Sequence, residues 1–198
     1  MRPIALALLC AFSSGCLLWT GERIPNLVGT GAKPGISTQP RIEVVLHHVH
    51  TMDGKDAGGA ATDASYKVFK ESFERVRSET PFLAASGVGI VKPDYVLDLE
   101  TEVAEHGKTG AIVSGATLML IPAFPSSDVI IRGTLEDPAG NVIGHYDASG
   151  EMKGVIQLLL LPLFPVTLFT MPGKDLYDDT FRDIFLLVEK DLAARASS

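Results

Sequence analysis

Val129-Ile130-Ile131-Arg132-Gly133-Thr134-Leu135 and Asn141-Val142-Ile143-Gly144-His145-Tyr146-Asp147-Ala148-Ser149 lie on either side of Asp137-Pro138-Ala139-Gly140. Pro fixes φ at one position of the turn and Gly tolerates a positive φ at another, so this stretch predicts a β-hairpin. Working outward, residues 95–103 alternate. Tyr95, Leu97, Leu99 and Val103 fall on one side, and Asp98, Glu100 and Glu102 on the other. That pattern predicts a half-buried strand with an acidic face. Residues 41–50, Arg-Ile-Glu-Val-Val-Leu-His-His-Val-His, are β-branched and partly alternating and read as another strand. A short strand is expected over residues 82–85.

Two segments change period. Tyr66, Phe69, Phe73 and Val76 recur at helical spacing within residues 62–78, with Thr62 or Asp63 as the expected cap and Pro81 as the stop. Tyr177, Phe181, Ile184, Phe185, Val188 and Leu192 form a second apolar stripe. Asp175, Asp178 and Asp179 stand near its start and Lys190 and Arg195 near its end, the polarity a helix dipole favours. The order strand, helix, several strands, helix predicts an α+β fold. It would be a two-layer domain, a largely antiparallel sheet of about five or six strands with two packing helices.

The composition supports one such domain. The chain has 198 residues, 46% of them apolar and 21% charged, enough to build a core. Seventeen basic against 24 acidic side chains give a net charge of −7. That balance disfavours a nucleic-acid partner, whose phosphates call for cationic surface. Mean hydropathy is +0.23, high for a soluble domain.

The N-terminus accounts for part of that hydropathy. Arg2 is followed by an apolar run, residues 4–12, and then by Ser13, Ser14, Gly15 and Cys16. The run is far shorter than the roughly 20 residues of a spanning helix and has the layout of a signal peptide. Ser13-Ser14-Gly15-Cys16 resembles the lipobox of bacterial lipoproteins, with Ser13 where that family favours Leu. The resemblance implies cleavage after residue 15 and lipidation of Cys16. Cleavage there removes Cys10, so one cysteine remains and no intramolecular disulfide forms. Leu17 in place of Asp implies, by the same resemblance, the outer membrane, with the domain facing the periplasm. The expected organisation is therefore a signal peptide over 1–15, a lipidated N-terminus and flexible tether over 16–40, and a single α+β domain over 41–198. Gly21, Gly29, Gly31, Gly35, Pro25, Pro34 and Pro40 support the tether. A flexible chain of that length spans roughly 25–30 Å.

Two long runs carry no charge, residues 109–127 and 154–173. Three readings are open. The runs are central strands buried on both faces. Or residues 154–173 enter the membrane, against which Pro162 and Pro165 would break the helix. Or both runs form an apolar patch that meets the bilayer or a partner. On the third reading the contact residues are Leu118, Phe124, Leu160, Phe164 and Phe169.

Few motifs point to chemistry. His47, His48 and His50 are candidate metal ligands: on a strand, His48 and His50 share a face and His47 opposes them. Without a spaced Cys or Glu they read as solvated imidazoles on a strand edge, and no metal or other cofactor is expected. Asp53, Asp56 and Asp63 among glycines do not match an EF-hand loop. No Gly-x-Ser-x-Gly elbow occurs, and the acidic row Asp98, Glu100, Glu102 reads as a wet strand face.

Lys92-Pro93-Asp94-Tyr95-Val96-Leu97 and the 129–135 strand with its Asp-Pro-Ala-Gly-Asn turn resemble elements of small α/β envelope proteins. These are the curli-secretion lipoprotein, the lipoprotein activators of peptidoglycan synthases and the N-terminal domain of the translocation protein TolB. The resemblance implies a non-enzymatic protein that contacts envelope partners. The expectation is a membrane-anchored lipoprotein docking a partner protein or a membrane surface through residues 112–124 and 155–169. The alternatives are a binder of lipid or another apolar ligand, with those segments as pocket walls, and a metal-binding envelope protein using His47, His48 and His50.

Overall fold

The computed structural model describes residues 15–28, 39–117, 120–157 and 172–196. Six strands form one sheet: β1 (Gly15–Ile24), β2 (Ile42–Met52), β3 (Lys55–Asp56), β4 (Tyr95–His106), β5 (Ser126–Glu136) and β6 (Val142–Gln157). Their order is β1-β6-β5-β4-β2-β3. Among the described residues three helices accompany them, α1 (Gly59–Glu79), α2 (Lys108–Ala116) and α3 (Pro172–Ala196). The fold is α+β, as the periodicity predicts. The sheet is antiparallel except for β2 and β4, which pair in parallel across the α1 crossover.

The hairpin forms as expected. Asp137 organises its turn: Oδ1 accepts the N–H groups of Ala139 and Asn141 at 2.8 and 2.9 Å, and Oδ2 accepts Asn141 Nδ2 at 2.8 Å. These bonds, the Asn141 side chain foremost, hold the carboxyl below its usual pKa. Gly140 takes φ of 82°.

Helices α1 and α3 pack side by side on one sheet face. Both predicted stripes meet there: Phe69, Phe73 and Val76 from α1, and Phe181, Ile184, Phe185 and Val188 from α3, all buried. The Phe181 ring lies 5.0 Å from Phe69, 5.7 Å from Phe73 and 5.9 Å from Phe185, ranges at which aromatic pairs attract. Beneath them the sheet contributes Ile42, Val44, Leu97, Leu99, Ile131 and Leu135. Between the helices, the Asp178 carboxylate accepts hydrogen bonds from Ser72 and Arg75, the latter at 2.7 Å from Nε.

Four expectations need correction. Residues 82–85 form no strand, because Pro81 opens a 3-10 turn over Pro81–Leu83. Helix α1 starts at Gly59, ahead of Thr62 and Asp63, and neither caps it. Residues 108–116 are helical, so the first uncharged run does not begin as a buried central strand. Most consequentially, the tether expected over 16–40 does not extend over Gly15–Ile24. That segment is an edge strand of the sheet, paired with β6 and broken in register between Thr20 and Arg23. The domain therefore does not begin at Arg41.

The chain after β1 is also tied down. Buried Asp183 of α3 accepts the N–H groups of Leu27 and Val28 on Oδ1, at 2.8 and 2.9 Å. Arg23 sits beside it, 2.9 Å from Asp179 and 3.6 Å from Asp183. Burial pushes the Asp183 carboxyl above its ordinary pKa, against the pull of the two amides and Arg23.

Candidate functional site

Two features gather at one end of the sheet, where β1 and β5 begin and β2, β4 and β6 finish. The first is an apolar surface. Cys16 pairs with Ile156 on β6, and Ile156 bridges on its other side to Ala123. Two strand spacings therefore place Cys16 and Ala123 about 10 Å apart. Around Ala123 the side chains of Ile112, Val113, Leu120, Ile121 and Phe124 face solvent, Leu120 and Phe124 by 69% and 67%. Helix α2 sits against this loop, with Gly107 (φ 89°) packed on the backbone of Phe124 and Pro125, where a Cβ would crowd. Of the predicted contact residues, Phe124 is thus exposed. Leu118, Leu160, Phe164 and Phe169 lie outside the described residues.

The second feature is a cavity of about 400 Å³ between the sheet end and the first turns of α1 and α3. Its apolar wall includes Met52, Val68, Val129, Met152 and Leu176. Its polar groups are His50, Glu105, Ser65, Ser127 and Tyr177. None of this lining comes from residues 112–124, and residues 158–169 of the second expected wall lie outside the described residues. The cavity is non-local: four strands and two helices contribute, and of its lining only His50 is a candidate site residue from the sequence.

Strand alternation puts His48 and His50 on the helix-covered face, as predicted, with His47 on the other. The expectation of solvated imidazoles holds for His47, which lies 3.4 Å from Asp98, and is corrected for the other two. His50 is 4% exposed. Its Nε2 lies 3.2 Å from a Glu105 oxygen without hydrogen-bond alignment, and neither ring nitrogen finds a hydrogen-bond partner among the described residues. The His48 ring stacks on Phe69 at 5.4 Å and shares a hydrogen bond with Ser65 Oγ at 3.1 Å. Burial, and then the neighbouring His50, lower its pKa to about 4, so it is neutral at pH 7. Tyr177 also hydrogen-bonds Ser65, and burial pushes its phenol pKa up.

The rings of His48 and His50 are 6.5 Å apart, and among the described residues no cluster of three or more metal-ligating side chains forms around them. The acidic row on β4 faces away from the helices, with Glu102 paired to Arg132 at 3.2 Å. His106 lies 3.3 Å from Asp128, and His145 shares a hydrogen bond with Thr134 at 3.2 Å. Asp53 accepts the Gly107 N–H at 2.9 Å and Asp56 the Gly58 N–H at 2.8 Å, so both shape loops.

No protein-family profile matches the chain, and no curated protein matches it either. Among solved structures, one from Helicobacter pylori described as a neuraminyllactose-binding hemagglutinin homolog is similar at 12% identity and TM-score 0.43. It covers 81% of this chain and 89% of its own. The PelC dodecamer from Paraburkholderia phytofirmans is similar at 12% identity and TM-score 0.34, over 85% of this chain and 96% of its own. At such scores neither likeness bears on what this chain does.

Proposed function

We propose that this chain is a bacterial envelope lipoprotein that lies directly on the bilayer, held by a lipid on Cys16 and by the exposed apolar residues around Phe124. The observation that carries the reading is the register Cys16–Ile156–Ala123, which sets the expected lipid acceptor beside the apolar surface. Cys16 belongs to an edge strand, so a lipid attached there holds the sheet end against the headgroups with no spacer. Each buried CH₂ of an acyl chain contributes about 0.8 kcal/mol to membrane binding, and the apolar side chains add to it. The signal-like residues 1–15 support export, and Leu17 after the cysteine supports the outer membrane, with the domain on the periplasmic side. The role is docking: the anchored domain presents its remaining faces to envelope partners.

The test is the intact mass of the N-terminal peptide from membrane fractions of cells making the native chain or Cys16→Ala. A diacylglycerol-modified Cys16, absent from the variant, is the expected result. An unmodified N-terminus in the soluble fraction overturns the anchor.

A further inference from the structure

The His50 cavity has no part in anchoring. It nevertheless combines an apolar wall, about 400 Å³ of room and a buried imidazole with both nitrogens unused among the described residues. A buried polar group without a partner costs stability, and its persistence calls for something that satisfies it. Pockets that hold small molecules have this make-up: mostly apolar lining and a few convergent polar groups.

The polar groups specify the ligand's chemistry. An imidazole offers an N–H donor and, in either neutral tautomer, an acceptor nitrogen as well. The two ring nitrogens point apart, so one hydroxyl pairs with the single nitrogen that faces the cavity, as acceptor or as donor. The Glu105 carboxylate at the rim, 3.2 Å from Nε2, can accept from the same hydroxyl and repels an anionic head. Tyr177 and His48 are already engaged with Ser65, which leaves His50, Glu105 and Ser127 as the remaining polar groups of the cavity. Met52, Met152, Val68 and Leu176 accommodate an aliphatic body, and the two methionines adapt their shape to it.

We infer that the cavity between the sheet end and helices α1 and α3 binds an uncharged aliphatic molecule with a terminal hydroxyl, its head on His50 and Glu105 and its chain between Met52, Val68 and Met152. The inference goes beyond the anchoring proposal and does not depend on it.

The test uses the full chain carrying Cys16→Ala, with 1-octanol and octanoate as probes at pH 7, followed by methionine-methyl and histidine-ring NMR. Octanol is expected to shift the Met52 and Met152 methyls and the His50 ring nitrogens, and octanoate to bind about tenfold more weakly. His50→Phe should weaken octanol about tenfold, the loss expected when a buried polar partner goes. Val68→Trp, on the outer wall of the cavity, should abolish binding while leaving the core intact. Unshifted Met52 and Met152 methyls, octanoate binding as well as octanol, or full affinity in a folded His50→Phe or Val68→Trp chain each overturns the inference.

Discussion

Ala123 and Ile156 exchange two backbone hydrogen bonds, of 3.0 and 2.9 Å, that fasten the loop carrying Phe124 to the last turn of pairing on β6. The exposed side chains of this loop are therefore displayed from a backbone tied to the sheet. Replacing Ile121 and Phe124 together by Asp should leave the fold intact, since both are largely exposed. In the Cys16→Ala background, cosedimentation with phosphatidylethanolamine–phosphatidylglycerol vesicles should fall by about tenfold or more, from the lost apolar burial. Unchanged binding would remove this loop from the membrane contact.

Asp183 holds Leu27 and Val28 through one carboxylate oxygen, and Asn can supply the same acceptor. Asp183→Ala leaves two amides and Arg23 without it and should cost about 2–3 kcal/mol. Asp183→Asn should cost under about 1 kcal/mol, consistent with an environment that already disfavours the charge. Urea unfolding of the two variants measures the difference, and amide exchange at Leu27 and Val28 should rise in the Ala variant alone.

His48 makes the fold sensitive to mild acid. An unfolded histidine titrates near 6.5, whereas His48 in the fold is lowered to about 4. Between these values the unfolded chain takes up a proton that the folded chain refuses, so stability falls as pH drops through that window. For a half-buried ring the loss is on the order of 1–2 kcal/mol after allowance for solvent screening. Urea unfolding at pH 7.5 and 4.5 should show a larger acid loss in the native chain than in His48→Gln. Equal losses would contradict the lowered pKa.

Phe181, at zero exposure, joins the two helices through ring contacts with Phe69 and Phe73 and stacks on Phe185 of its own helix. Phe181→Ala should cost about 3–5 kcal/mol. Thermal melting should show a single transition at lower temperature; a shift of only a degree or two would mean that the helices are held chiefly by Asp178 and Arg75.

What was legible in the sequence was local. The Asp137 turn, the alternation of β4 and the Phe69–Phe73 and Phe181–Phe185 stripes each declare themselves within a dozen residues. Strand β1 did not. Its partner lies more than 120 residues away, the register break after Thr20 interrupts its alternation, and the adjoining signal-like run invites a reading as leader and tether. The parallel pairing of His48 with Thr101 is equally hidden, because crossover direction depends on where α1 packs. The cavity was invisible for the same reason: His50 shows itself as a histidine on a strand, while Met152, Val68 and Tyr177 meet it only after the layers close.

The placement of β1 also bears on biosynthesis. Among the described residues β1 is a sheet edge paired with β6, which follows it in the chain, so this pairing waits until residues 142–157 have emerged. Contacts of such sequence separation form late. On the anchoring proposal, that interval is when the segment around Cys16 is open to an acyltransferase or a signal peptidase. Once β6 arrives, β1 closes the edge and the cysteine is fixed at its corner. On that proposal, topology orders lipidation before closure of the sheet edge.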